Sequence, residues 1–203
     1  MVFPDISIKR QAGFFRASSV VLLLAALSAC AGKANNDTYS LSSVPTVAGP
    51  ASTGRQILVP EPTALKALNS EQIVVRLKGA ELQYLADSQW SDRLPRMVQA
   101  KIVQAFENSG KVGGVGKPGE GLAIDYQVVS EIRAFEVETG ANDAVVEIFV
   151  KIVNDRNGTV RAQRAFRAVA PVSGSGKPAF VKGLDTAAAQ VVAEIVAWTL
   201  KQI

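Results

Sequence analysis

The chain contains no histidine and a single cysteine. The missing histidine removes Ser-His-Asp and Cys-His catalysis, histidine-ligated zinc and the usual proton shuttle near neutral pH. A Ser-Lys nucleophile pair would remain, but no Ser-x-x-Lys follows the cysteine. One cysteine cannot form an internal disulfide, so the fold must stand on its core. Long apolar runs are missing too. The longest, Val20 to Leu27, falls far short of the roughly 18 residues that span a bilayer as a helix.

That short run is informative because of its neighbours. Lys9, Arg10 and Arg16 precede it against a single Asp5. Leu27-Ser28-Ala29-Cys30 follows it. A basic segment, an apolar segment of this length and small residues before the cut describe a secretory signal. The last four residues look like a bacterial lipobox. There the thiol becomes a thioether to diacylglycerol, and cleavage falls between Ala29 and Cys30. A small buried cysteine on a helix is the competing reading, but it would need neither the basic segment nor the spacing. Residues 1–29 are thus expected to be a cleaved lipoprotein signal peptide and 30–37 an anchor and short tether. Residues 38–203 are expected to form a single α/β domain. Acylated Cys30 is the only prosthetic chemistry expected, with no cofactor, no metal and no catalytic residue. Seven extended residues after Cys30 reach at most about 25 Å, which keeps the domain near its membrane.

The basic residues upstream of Cys30 account for part of the formal charge of +4. The remainder is nearly balanced, and no nucleic-acid partner is implied.

Short strands are expected at Thr38–Leu41, Arg55–Val59, Gln72–Leu77 and Glu81–Leu85. A helix follows, capped by Ser91 or Asp92, with Pro95 in its first turn and Asn108-Ser109-Gly110 at its end. Leu94, Val98, Ile102 and Phe106 share one face of it. Residues 111–121 read as a glycine-rich loop. From Leu122, apolar and polar residues alternate as in a half-buried strand. The parity flips near Ala134, which predicts a bulge. A strand over Ala144–Val153, a turn at Asn157-Gly158 and a return over Val160–Ala170 complete a meander. The last helix opens at Pro178, with Val181, Leu184, Ala188, Val191, Ile195 and Trp198 on its apolar stripe. The expected architecture is α+β: a mostly antiparallel sheet with both helices packed on one face.

Several patterns imitate functional sites. Gly114-Val-Gly116-Lys-Pro-Gly119 and Gly174-Ser-Gly176-Lys-Pro both fit glycine-rich nucleotide patterns. The first follows a helix and precedes a strand, the reverse of a dinucleotide site. The second precedes a helix with no later strand to complete a βαβ unit. Both are read as turns. Glu136 and Glu138 project to one side of a strand, as a solvated strand end does more often than a glycosidase pair. Trp90 and Trp198 are read as core. Lys151, Arg161, Arg164 and Arg167 are read as a solvated face rather than a lipid-phosphate site.

Tyr39-Ser40-Leu41, "ILVPEP", the stretch from Ile73 to Phe106 and "AAAQVVAEIVAW" resemble the auxiliary lipoprotein component of ABC-type transport systems. This is the group associated with MCE and paraquat-inducible lipid transporters. The resemblance implies a fold like the amino-terminal domain of TolB. It also implies a non-enzymatic periplasmic subunit that assists movement of phospholipid or a related lipid between the two membranes. An MCE-domain protein would be its partner, and the lipid anchor would hold it to the membrane. An assembly lipoprotein for the outer membrane or for a secretion channel is the alternative. Ala31, where an aspartate would retain many lipoproteins in the inner membrane, favours the periplasmic side of the outer membrane, with the inner membrane left open. On the strand from Ala144 one face carries Val145, Glu147, Phe149, Lys151 and Val153. That is apolar for open solvent, so Val145, Phe149 and Val153 are candidates for a partner face. The competing readings are that amino-terminal residues cover it, or that a bulge mixes the two faces.

Overall fold

A computed structural model of the chain describes residues 36–42 and 46–203. Ala29, Cys30 and most of the tether lie outside the described residues. Residues Asn36–Ile203 form one compact unit.

Eleven elements follow one another: β1 (Asp37–Tyr39), β2 (Ser52–Leu58), β3 (Thr63–Ala64), β4 (Gln72–Arg76), β5 (Leu82–Trp90), α1 (Leu94–Ser109), β6 (Val112–Gly116), β7 (Tyr126–Glu138), β8 (Asp143–Asn154), β9 (Val160–Pro171) and α2 (Lys177–Gln202). The fold is α+β, as the sequence predicts. β7 is the spine. Along one edge it carries the antiparallel β8, which in turn carries the antiparallel β9. Along its other edge it takes β2, β3 and β4 in succession, all parallel. β4 pairs antiparallel with β5, β5 parallel with β1, and β2 parallel with β6.

The two helices cover one face of this sheet. Val98 of α1, Phe135 and Ile148 of the sheet, and Ala188 and Val192 of α2 meet around one apolar slot, which Leu41 lines from the amino-terminal segment. Ser42 fixes that segment by donating its backbone N–H (2.7 Å) and hydroxyl (2.6 Å) to the Asp185 carboxylate. The expected helix stripes are buried: Leu94, Val98, Ile102 and Phe106 on α1, and Leu184, Val191 and Ile195 on α2. Trp90 is buried and meets Phe135 edge-on at 5.8 Å. Trp198 is half-buried against Phe166.

Local details depart from the sequence expectation. Neither Ser91 nor Asp92 caps α1; Arg93 holds the cap position without a side-chain bond. The Ser70 carbonyl accepts the Leu94 N–H instead, so a tertiary contact replaces the cap. The helix ends as expected at Gly110, in the left-handed region at φ 60°. The glycine-rich loop contains the strand β6, so Gly114 and Gly116 lie in a strand and not in a turn. A Cβ on Gly113 would stand 2.3 Å from the Thr53 carbonyl oxygen, so only glycine lets β6 approach β2. β7 begins at Tyr126, later than Leu122, which is exposed. The register shift between Ile132 and Ala134 is the expected bulge.

Candidate functional site

The face of the sheet turned away from the helices is built by register. The rows run Val129–Lys151–Gln163, Glu131–Phe149–Ala165, Ala134–Glu147–Arg167 and Glu136–Val145–Val169 across β7, β8 and β9. Phe149 stands in the middle of this face. The bulge leaves Arg133 without a partner on β8, and its guanidinium lies 4.2 Å from the centroid of the Phe149 ring. The Lys151 ammonium stands 5.7 Å from the same ring. A cation over an aromatic face is favourable. A hollow of about 120 Å³ opens beside Phe149, lined by Thr63, Val129, Ser130, Glu131 and Lys151.

Val145, Phe149 and Val153 thus share one face, but their environments differ. Val145 is only 2% exposed, whereas Phe149 and Val153 are half-buried. The apolar character that looked excessive in the sequence is covered by charge: Arg133 over Phe149, and an ion pair in the row of Val145. That pair joins Arg76 of β4 to Glu136 through two bonds, Nε to Oε1 at 2.5 Å and Nη2 to Oε2 at 3.0 Å. Glu136 is therefore no solvated strand end. It is 4% exposed, and its carboxylate raises the Arg76 guanidinium above its ordinary value against the opposing effect of burial. Sequence reading missed the pair because its members are sixty residues apart.

The four cations of the β8–β9 hairpin are dispersed. Lys151 stands by Phe149, Arg161 donates to the Gln202 carbonyl at the end of α2, and Arg164 lies over Phe166 at 5.1 Å. Arg167 stands 3.8 Å from Glu147. The shift at Ile152/Val153 turns Arg161 toward the helix side, where it also lies 5.7 Å from the Tyr126 ring.

A second ionic knot ties β2 to the start of β7. Asp125 accepts the Gln56 backbone N–H at 3.1 Å, and Arg156 (3.0 Å) and Arg55 (3.6 Å) pair with it. The Gln56 N–H, with Arg156 and Arg55 behind it, holds the Asp125 carboxyl below its ordinary range despite desolvation. A depressed carboxyl stabilises the fold fully above the unfolded value of about 3.9 and stops doing so as pH falls through the folded value. Asp125→Asn is therefore expected to flatten the dependence of stability on pH below about pH 4, read from denaturant midpoints across that range. An unchanged slope would mean that other carboxylates carry it.

The described elements define an α+β scaffold with one face under helices and one face open. The model of the ABC-type transport auxiliary lipoprotein component family matches residues 39–196. The chain belongs to that family. It is 30% identical over 166 residues to the uncharacterized protein bll6063 of Bradyrhizobium diazoefficiens, covering 80% of this chain and 44% of that protein. The chain thus spans less than half the length of this curated relative. The crystal structure of protein XCC0632 from Xanthomonas campestris is similar at 28% identity and a TM-score of 0.77, over 82% of this chain and 95% of that one. The hypothetical protein CT253 of Chlamydia trachomatis shares the fold at 12% identity and a TM-score of 0.53, over 73% and 97% of the two chains.

Proposed function

We propose that this protein is a non-enzymatic lipoprotein subunit, anchored through Cys30, that assists an MCE-type ABC transporter moving phospholipid or a related lipid between the inner and outer membranes. The observation that carries this reading is the family match over nearly the whole described unit, downstream of a lipobox-like Leu27-Ser28-Ala29-Cys30. The chemistry of the described residues supports a binding role. Glu136, Asp125 and Asp185 are each engaged by a structural partner. The open sheet face around Phe149 is the surface offered to an MCE-domain protein, with Val145 beneath it and Val153 at its border. Ala31 favours the periplasmic side of the outer membrane for the anchor.

The anchor is tested by substitution. Cys30→Ala is expected to abolish palmitate labelling and to leave the precursor uncleaved at that site. Labelling that survives the substitution ends the lipoprotein anchor. Fractionation of the wild-type protein with the inner membrane would overturn the outer-membrane assignment alone.

A further inference from the structure

β9 is twelve residues long and, among the described residues, pairs only with β8. Its outer edge is a row of backbone groups without a neighbouring strand. Strands in globular proteins are mostly 5–6 residues long, and exposed edges are usually shorter still, broken by proline or bulged away. β9 has its proline at its last position, Pro171, and its one bulge at the opposite end. What guards it is charge of one sign. Arg161, Arg164 and Arg167 recur at every third residue, and β9 holds no acidic residue.

That pattern discriminates between occupants. A second copy pairing β9 with β9 would place six arginines along one ladder, and like charges facing one another destabilise a sheet. The segments of this chain outside the described residues do not complement it either. Residues 30–35 and 43–45 carry one lysine and no acid, and residues 1–29 are net basic. An acidic strand fits. Among the described residues Arg164 makes no hydrogen bond or ion pair, only its contact over Phe166. Arg167 is half-exposed and loosely placed beside Glu147. Each guanidinium presents five N–H donors, so both can accept a further carboxylate. Val160 and Val169, 51% and 43% exposed, offer apolar contact near the two ends of the strand.

We propose that the free edge of β9 is a strand-addition site for an acidic extended segment of a partner protein, and that Arg164 and Arg167 select this segment while the arginine row as a whole excludes β9–β9 pairing with a second copy. Backbone hydrogen bonds would supply the binding and the arginines the choice of partner.

Hydrogen exchange followed by mass spectrometry on the full chain in detergent tests it with three synthetic dodecapeptides. One repeats Val-Thr-Glu, one repeats Val-Thr-Lys, and one repeats Pro-Thr-Glu, which has the same charge as the first but cannot form a ladder. The Val-Thr-Glu peptide is expected to slow exchange over residues 160–171 by about tenfold, with little change elsewhere. The other two are expected to leave this segment unchanged. Arg164→Glu with Arg167→Glu, checked for an unchanged melting temperature, should transfer the protection to the lysine peptide. The proposal is overturned if the Val-Thr-Glu peptide protects nothing in 160–171 or if the lysine peptide protects equally. It is also overturned if the proline peptide protects equally, which reduces the effect to charge. Protection that rises with protein concentration and no peptide would make the edge a self-association site instead.

Discussion

Phe106→Ala is expected to lower the unfolding free energy by about 3–5 kcal/mol, read from the shift in denaturant midpoint at unchanged slope. The size follows from position. Phe106 is wholly buried and belongs to the four-residue stripe that joins α1 to the core. Truncation removes the transfer free energy of the ring and leaves a cavity that the surrounding structure fills only in part. Ile102, its neighbour on the stripe, and the adjacent Val103 are buried in the same core and cannot close the gap without moving the helix. Against the roughly 5–15 kcal/mol typical of native domains, such a loss is a large fraction. A loss near zero would mean that the buried face of α1 has been misplaced.

Arg76→Met is expected to cost about 2–4 kcal/mol, for a different reason. The substitution keeps a chain of similar length and removes the only cation bonded to Glu136 among the described residues. It strands a carboxylate whose side chain is 5% exposed, while Arg76 itself, at 33%, retains partial access to water. A cost at or somewhat below the usual range of about 3–5 kcal/mol for a broken buried pair therefore applies. The double substitution Arg76→Met with Glu136→Leu separates the stranded charge from the value of the pair. It is expected to recover most of the loss, because two apolar side chains often replace a buried ion pair at no net cost. A double variant as unstable as Arg76→Met would show that packing of the guanidinium stem, and not the abandoned charge, carries the effect.

What could be read from the sequence was what repeats locally. The two helices declared themselves through the spacing of Leu94, Val98, Ile102 and Phe106 and of Leu184, Val191 and Ile195, because a helix buries every third or fourth residue whatever it packs against. The parity flip at Ala134 disclosed the bulge in β7, since strand alternation has a period of two and one inserted residue inverts it. What escaped was non-local. β6 is Val-Gly-Gly-Val-Gly, with too few side chains to show a period, and it becomes a strand only because β2 lies beside it. The parallel attachment of β2, β3 and β4 to β7 leaves no trace in any one segment. The open face was legible as a list, Val145 to Val153, but not as a surface. Its character depends on Arg133, aimed by the bulge, and on Arg76, which arrives from β4. Charge therefore covers what composition presented as bare apolar area.

Recovery of partners through a tag at the carboxyl end, from membranes solubilised in mild detergent and identified by mass spectrometry, tests the role in lipid transport. An MCE-domain protein is expected among the partners recovered with the wild-type chain. A reduced yield of that protein is expected with Phe149→Asp, at a melting temperature within a few degrees of wild type, since the carboxylate at 149 meets Arg133 and Lys151 as well as Glu131 opposite it and disturbs no core residue. Recovery of a β-barrel assembly or secretion machine, with no MCE-domain protein, would contradict that role.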